Sequence, residues 1–195
     1  LSACRRNGIA SVVITGWGDD GAEASQFSVL PGLFADANEA YEGALTDEAF
    51  FLLTGIPKES FLRMEISNPY SERADRHNNA GKYLLYNDPL IGTFDSEAQQ
   101  LPKEYYRNAA QVLEDIVRES RESSLCYMLQ TQASLCRVLQ DKAVLGIEIR
   151  TAYQKKDREK LREIAEENLP ELVQKLDRFY QDFRTQWMLE NKAFG

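Results

Sequence analysis

From Leu125 to about Tyr153 the chain repeats apolar residues at threes and fours, with Leu125, Met128, Leu129, Ala133, Cys136, Leu139, Ala143 and Ile147 in register. That spacing predicts one amphipathic helix, about 43 Å long at the standard rise of about 1.5 Å per residue. A rod of this length is stable only when its apolar stripe is covered, so it predicts the centre of a bundle. The flanking segments supply the cover. Pro102 to roughly Glu119 places Tyr105, Ala109, Val112, Leu113, Ile116 and Val117 at helical spacing. Asp157 starts another helix with Leu161, Ile164 and Ala165 on one side. Beyond Pro170, Val173, Leu176, Phe179, Tyr180, Phe183 and Trp187 form a wide aromatic stripe, read here as core. Short connections between these segments imply antiparallel neighbours.

Shorter helices precede the rod. Thr46 can cap one that carries Ala49, Phe50 and Leu53 on one face and stops at Gly55. Pro57 suits the first position of the next, which brings Phe61 and Met64 together and ends at Asn68-Pro69. Residues 70–81 are polar and read as an exposed loop, in which His77, the single histidine, is expected to be merely solvated. Lys82 to Asp95 is apolar but broken by Asn87-Asp88-Pro89 and Gly92, which predicts two short pieces around a tight turn.

The first 45 residues have a different character. Ala3, Cys4, Arg5 and Arg6 read as a helix's last turn, with Gly8 as a left-handed stop. Ile9 to Thr15 is a β-branched run without charge, the composition of a strand buried on both faces. A helix is expected over roughly 32–42. The fold class is therefore mainly α, with a helical domain over 46–195 and the end of another unit before it. With no initiator methionine the chain reads as a piece of a longer protein that begins inside a helix–strand unit. A strand without neighbours exposes two unpaired edges, so Ile9–Thr15 is expected to be disordered, to pair with another copy, or to repack on the helices.

Composition narrows the partners. The 195 residues carry a net charge of −8, and no basic block offsets it, which argues against nucleic acid or an anionic membrane. No apolar run reaches the length of a membrane span and no signal peptide is visible. Of the three cysteines, Cys126 and Cys136 fall on one helix about 15 Å apart along its axis, too far for a bridge. Reduced thiols and a cytoplasmic location are expected. No cofactor and no metal is expected.

The stretch with chemical content is Gly16-Trp17-Gly18-Asp19-Asp20-Gly21, which follows the strand. It has the form of a dinucleotide loop, yet two carboxylates stand where phosphate charge would go. Adjacent Asp19 and Asp20 do not fit an EF-hand, which needs acids at alternate positions. Either aspartate can simply cap the next helix. A sugar site accounts for more of the residues together. A pyranose has an apolar face that stacks on an aromatic plate and hydroxyls that a carboxylate captures in pairs. Trp17 and Asp19, alternate residues at a strand's end, can point to the same side.

These residues resemble the eighth barrel strand of the β-N-acetylhexosaminidases of glycoside hydrolase family 20, in the bacterial branch with an extra helical domain after the barrel. Trp17-Gly18-Asp19-Asp20-Gly21 with Glu23 is similar to that branch's motif. Asn87-Asp88-Pro89-Leu90, the Gly146–Tyr153 stretch, Phe183-Arg184-Thr185-Gln186-Trp187 and the ending from Glu190 to Gly195 resemble its appended domain. The resemblance implies residues 1–45 as the C-terminal end of a (β/α)8 barrel and hydrolysis of terminal non-reducing β-linked N-acetylglucosamine or N-acetylgalactosamine. It implies substrate-assisted, retaining chemistry, in which the 2-acetamido carbonyl attacks the anomeric carbon while a glutamic acid protonates the leaving oxygen. Trp17 would form part of the stacking wall and Asp19 would bind the sugar's outer hydroxyls. Asp20 and Glu23 receive no role.

The family's acid–base glutamate and neighbouring aspartate lie on an earlier strand, and no strand-end Asp-Glu pair occurs here. Asp47-Glu48 sits in a helix's first turn, where acids complement the dipole. No catalytic residue is assigned, and the chain alone is expected to be inactive. Its expected partners are the rest of the barrel, N-acetylhexosamine glycans and, through the helical domain, a second copy. The competing expectation is an independent helical interaction module with no sugar site and Trp17 in its core.

Overall fold

The computed structural model describes residues 1–16, 24–41, 46–70, 75, 79–102 and 104–192. Every regular element among them is a helix. Helix α1 (Ser2–Arg6) ends as the sequence predicts, with Arg5 and Arg6 in its last turn and Gly8 at φ +69°. A 3-10 turn at Gln26–Val29 leads into α2 (Leu30–Ala40), which carries Pro31 in its first turn, where an N–H has no helical partner anyway. The two helices touch: Ser2 Oγ donates to the Glu39 carboxylate and the Arg5 guanidinium to the Glu39 carbonyl.

Between them, residues 9–16 lie in no strand, and Ile9, Val12, Val13 and Ile14 are exposed. In this chain the residues expected as a strand, Ile9–Thr15, form none, and of the three expected fates repacking onto the helices is not the one adopted. A strand persists through ladder bonds to neighbours, and the described residues offer no second strand to supply them.

Helix α3 (Asp47–Thr54) is closed at both ends by its own sequence. Thr46 accepts the Ala49 N–H at 3.2 Å, Asp47 and Glu48 fill the first turn, and Gly55 takes φ +68°. Helix α4 (Lys58–Leu62) runs on as a 3-10 turn over Arg63–Ser67 that stops at Asn68. Helix α5 (Ala80–Tyr86) is the first of the two short pieces expected within Lys82–Asp95; the second does not form, and residues 87–94 run as a turn into helix α6 (Asp95–Gln99).

The long helices follow. Helix α7 (Tyr105–Glu119) and helix α8 (Cys126–Lys155) pack side by side. Cys126 Sγ donates to the Val117 carbonyl at 3.5 Å, and Arg137 forks onto Glu114 at 2.6 and 2.7 Å. Partner numbers fall along α7 as they rise along α8, so the pair is antiparallel. Helix α9 (Arg158–Glu163) begins at Asp157, whose side chain accepts the Lys160 N–H at 3.0 Å. One π-type turn, Ile164–Asn168, joins it to α10 (Leu169–Glu190). Pro170 therefore does not break the segment: the wider turn before it relieves the clash its ring would have with the preceding turn's carbonyl. Helix α10 returns along α8, with Lys175 on Asp141 at 2.5 Å and Gln130 on Asp182 at 3.2 Å.

Helix α8 is the central rod. Its Met128, Leu129, Cys136 and Leu139 meet Phe50, Phe61, Leu84 and Leu113 in the main core. Each large side chain buried there contributes about 1.5–3 kcal/mol. Phe34 of α2 joins edge-on to Phe50 at 5.3 Å, and Phe50 to Phe61 at 5.4 Å, so the N-terminal segment is packed into the bundle. A second core of Val138, Leu145, Ile164 and Leu172 seals α8 to α10. The aromatic stripe of α10 is only partly core: Leu176 and Phe179 pack there, but Val173, Tyr180 and Trp187 are exposed. One neighbour covers one side of a helix, and this stripe is wider than the face α8 can bury.

Candidate functional site

Trp17 and Asp19, the residues assigned to sugar binding, lie outside the described residues, as do Asp20, Glu23 and His77. The structure does show how the chain is held on both sides of that stretch. Upstream, α1 is fastened to α2 through Glu39. Downstream, Ser25 is buried and caps the 3-10 turn by accepting the Phe27 N–H at 3.1 Å.

Ser25 is itself held from the far end of the chain. Its hydroxyl donates to Glu190 Oε1 at 2.5 Å, and the Gln26 N–H donates to Glu190 Oε2 at 2.8 Å. Both oxygens of one carboxylate are thus engaged by consecutive residues, in charge-assisted bonds that are stronger than neutral ones. Burial first, and then the Glu190 carboxylate, push the Tyr127 phenol up to about 12. A cavity of about 330 Å³ opens beside this junction, among Ser25, Ser28, Phe61, Met128 and Gln186. Sequence reading missed this cluster. Ser25 before an apolar run is a visible cap signal, but its carboxylate partner stands 165 residues away.

The second constellation joins two of the stretches that carry the sequence resemblance. Asp88 Oδ1 accepts the Leu90 and Ile91 N–H groups at 2.8 and 3.0 Å, closing the turn on itself. Those bonds, from Ile91 first and then Leu90, hold its carboxyl below the usual range. Arg150 of α8 donates to the Pro89 carbonyl and to Asp95, while Asn87 donates to the other Asp95 oxygen at 3.1 Å. Lys142 donates to the Asn87 and Leu84 carbonyls at 2.7 and 3.3 Å, a cation on the C-terminal carbonyls of α5. Burial lowers its pKa. The result is a rigid turn with Leu90 and Ile91 exposed at its tip.

Asp47 is ion-paired with Lys58 at the start of α3, where its neighbour Glu48 faces solvent. Burial raises the thiol pKa of Cys126, and that of the fully buried Cys136 to about 12, which keeps the Cys136 thiol protonated. Among the described residues no group of three or more His, Cys, Asp or Glu is placed to hold a metal ion, and no helix is long and apolar enough to cross a membrane.

Comparison with known families gives the arrangement its context. Residues 60–195 match the family described as the Glycoside Hydrolase 20C C-terminal domain, from α4 to the end of the chain. The chain belongs to that family, as the resemblance carried by its motifs implies. A search of curated proteins found no match.

Proposed function

From this membership we propose that the chain is the C-terminal part of a β-N-acetylhexosaminidase, an enzyme that removes terminal non-reducing β-linked N-acetylglucosamine or N-acetylgalactosamine. Residues 1–45 are the last strand, loop and helix of its (β/α)8 barrel, and 46–195 are the appended helical domain. Trp17 stacks on the apolar face of the terminal sugar and Asp19 accepts hydrogen bonds from its outer hydroxyls. The acid–base glutamate and the aspartate that orients the acetamido group come from earlier strands, so the chain alone binds without hydrolysing. The helical domain packs beside the barrel and also provides a surface for a second copy.

The observation that carries this proposal is the family match over residues 60–195, which lies C-terminal to the Trp17–Asp19 motif. A physical feature supports the division of labour. Ile9, Val12, Val13, Ile14, Phe27, Val29, Leu33 and Tyr41 are all exposed large apolar side chains, crowded into the first 41 residues. Such a concentration belongs to a surface that something else covers, and the rest of a barrel is a natural cover.

The test is kinetic, in an enzyme that contains this chain behind its upstream barrel. Trp17→Ala is expected to lower kcat/KM on a chromogenic N-acetylglucosaminide by about tenfold or more, the value of a lost stacking contact of about 1.5 kcal/mol or more. An enzyme with unchanged kcat/KM would remove Trp17 from the sugar site.

A further inference from the structure

We infer that the outer flank of α10 is the seam on which a second copy of this chain docks, the two α10 helices lying antiparallel about a two-fold axis at Tyr180. It rests on the proposed pairing of the helical domain with a second copy and not on the sugar site.

The helix carries the pattern of a pairing seam. Leu169, Val173, Leu176, Tyr180, Phe183 and Trp187 alternate by fours and threes along it, the spacing that keeps a row of side chains facing a partner helix. Leu176 packs on the second core of its own chain, and Phe183 lies between the rings of Phe179 and Trp187, 5.9 and 6.4 Å from them. The alternate members face water: Val173, Tyr180 and Trp187 are 54%, 56% and 40% exposed, and Leu169 joins them at the helix start. The row is about 27 Å long at the helical rise, one continuous apolar strip and not a scatter of single residues.

The charges beside the strip select the occupant. Glu171 pairs with Lys175 at 2.6 Å and Arg178 with Asp182 at 3.2 Å within the chain. Asp177 and Arg184, which flank the strip, are exposed and have no ion-pair partner among the described residues. Tyr180 stands at the middle of Leu169–Glu190. A two-fold axis there brings Tyr180 onto Tyr180 of the partner subunit, Val173 opposite Trp187 of the partner subunit, and Asp177 beside Arg184 of the partner subunit, the unlike contacts each made twice. Small faces large, and acid faces base. A parallel pair would set Asp177 beside Asp177 of the partner subunit and Arg184 beside its own equivalent, which like charges resist. A face that complements itself about one axis fits a copy of itself, whereas an unrelated surface gains nothing from that symmetry.

The test is sedimentation velocity of the 195-residue chain over a dilution series, with circular dichroism as the control for folding. The wild-type chain is expected to dimerise. Tyr180→Asp puts two like charges on the axis and is expected to be monomeric with helix content unchanged, since Tyr180 is an exposed side chain. Asp177→Arg and Arg184→Asp are each expected to weaken the dimer by about tenfold, because every exchange acts at two symmetric contacts, and the two together to return it to within about threefold of wild type. A wild-type chain that stays monomeric throughout the series overturns the proposal and leaves the strip to the upstream barrel. A dimer indifferent to Tyr180→Asp, or a double variant as weak as the single ones, also overturns it, and the pairing of the helical domain then stands on another surface. None of these readouts involves Trp17 or a sugar, so the seam stands or falls apart from the sugar site.

Discussion

Gly146 on α8 lies so close to Pro89 that a Cβ added there would sit 2.6 Å from the proline's carbonyl oxygen and 2.8 Å from its Cα. The contact fuses the Asn87–Gly92 turn to the central rod backbone to backbone. Helix propensity alone favours alanine over glycine by about 1 kcal/mol. Here steric overlap with main-chain atoms wins, because backbone cannot rotate away as a side-chain tip can. Gly146→Ala should therefore destabilise the domain by about 1–3 kcal/mol in urea unfolding. Gly32, inside α2 with open space around it, is the opposite case. Gly32→Ala should stabilise by up to about 1 kcal/mol.

The guanidinium of Arg150 spans the Pro89 carbonyl and Asp95 together, and both charged side chains are largely shielded from water. Lysine offers one point charge and cannot serve both acceptors in the same plane. Arg150→Lys and Arg150→Ala should therefore each destabilise, by about 1.5–3 kcal/mol for the alanine, and lysine should recover less than half of that. Limited proteolysis at Leu90-Ile91 should accelerate in both, since the clamp is what keeps that exposed tip rigid.

Stability should decline in alkali for a specific reason. Burial raises the Cys136 thiol from about 9 to about 12, and it raises the phenols of Tyr105 and Tyr127 to about 12 and that of Tyr106 further. In the folded chain these groups keep their protons while the unfolded chain gives them up. The folded state then binds more protons than the unfolded one, and unfolding free energy falls as pH rises. Their contribution is complete below pH 9 and erodes between about 9 and 12. Melting temperature measured across pH 8 to 11 should drop, and the slope should be smaller in Tyr106→Phe. An identical slope in that variant would dismiss the buried phenol as a cause.

Much of the helical domain was legible in the residues. Gly8 and Gly55 stop their helices in the left-handed region, Thr46 and Asp157 cap theirs, and α8 has the expected length and central place. These are local or periodic signals, which a single sequence carries. What it does not carry is who covers a face. The stripe of α10 reads as core by its periodicity, yet Val173, Tyr180 and Trp187 are exposed because, among the described residues, α8 is the long helix packed along it and covers one side. Ile9–Thr15 reads as a strand by composition, yet a ladder needs partners that the described residues do not contain. The Ser25–Glu190 contact escaped for a related reason: its partners meet only after the whole bundle has folded. The sugar-site reading came from Trp17 and Asp19, which lie outside the described residues, and from resemblance at the level of motifs.

The most direct measurement is calorimetric titration of the 195-residue chain with N-acetylglucosamine, with a chromogenic N-acetylglucosaminide assayed in the same sample. We expect weak saturable binding that disappears in Trp17→Ala, and no turnover. Turnover by the pure chain, or binding indifferent to Trp17, would contradict the assignment of this chain as a sugar-binding but non-catalytic part of its enzyme.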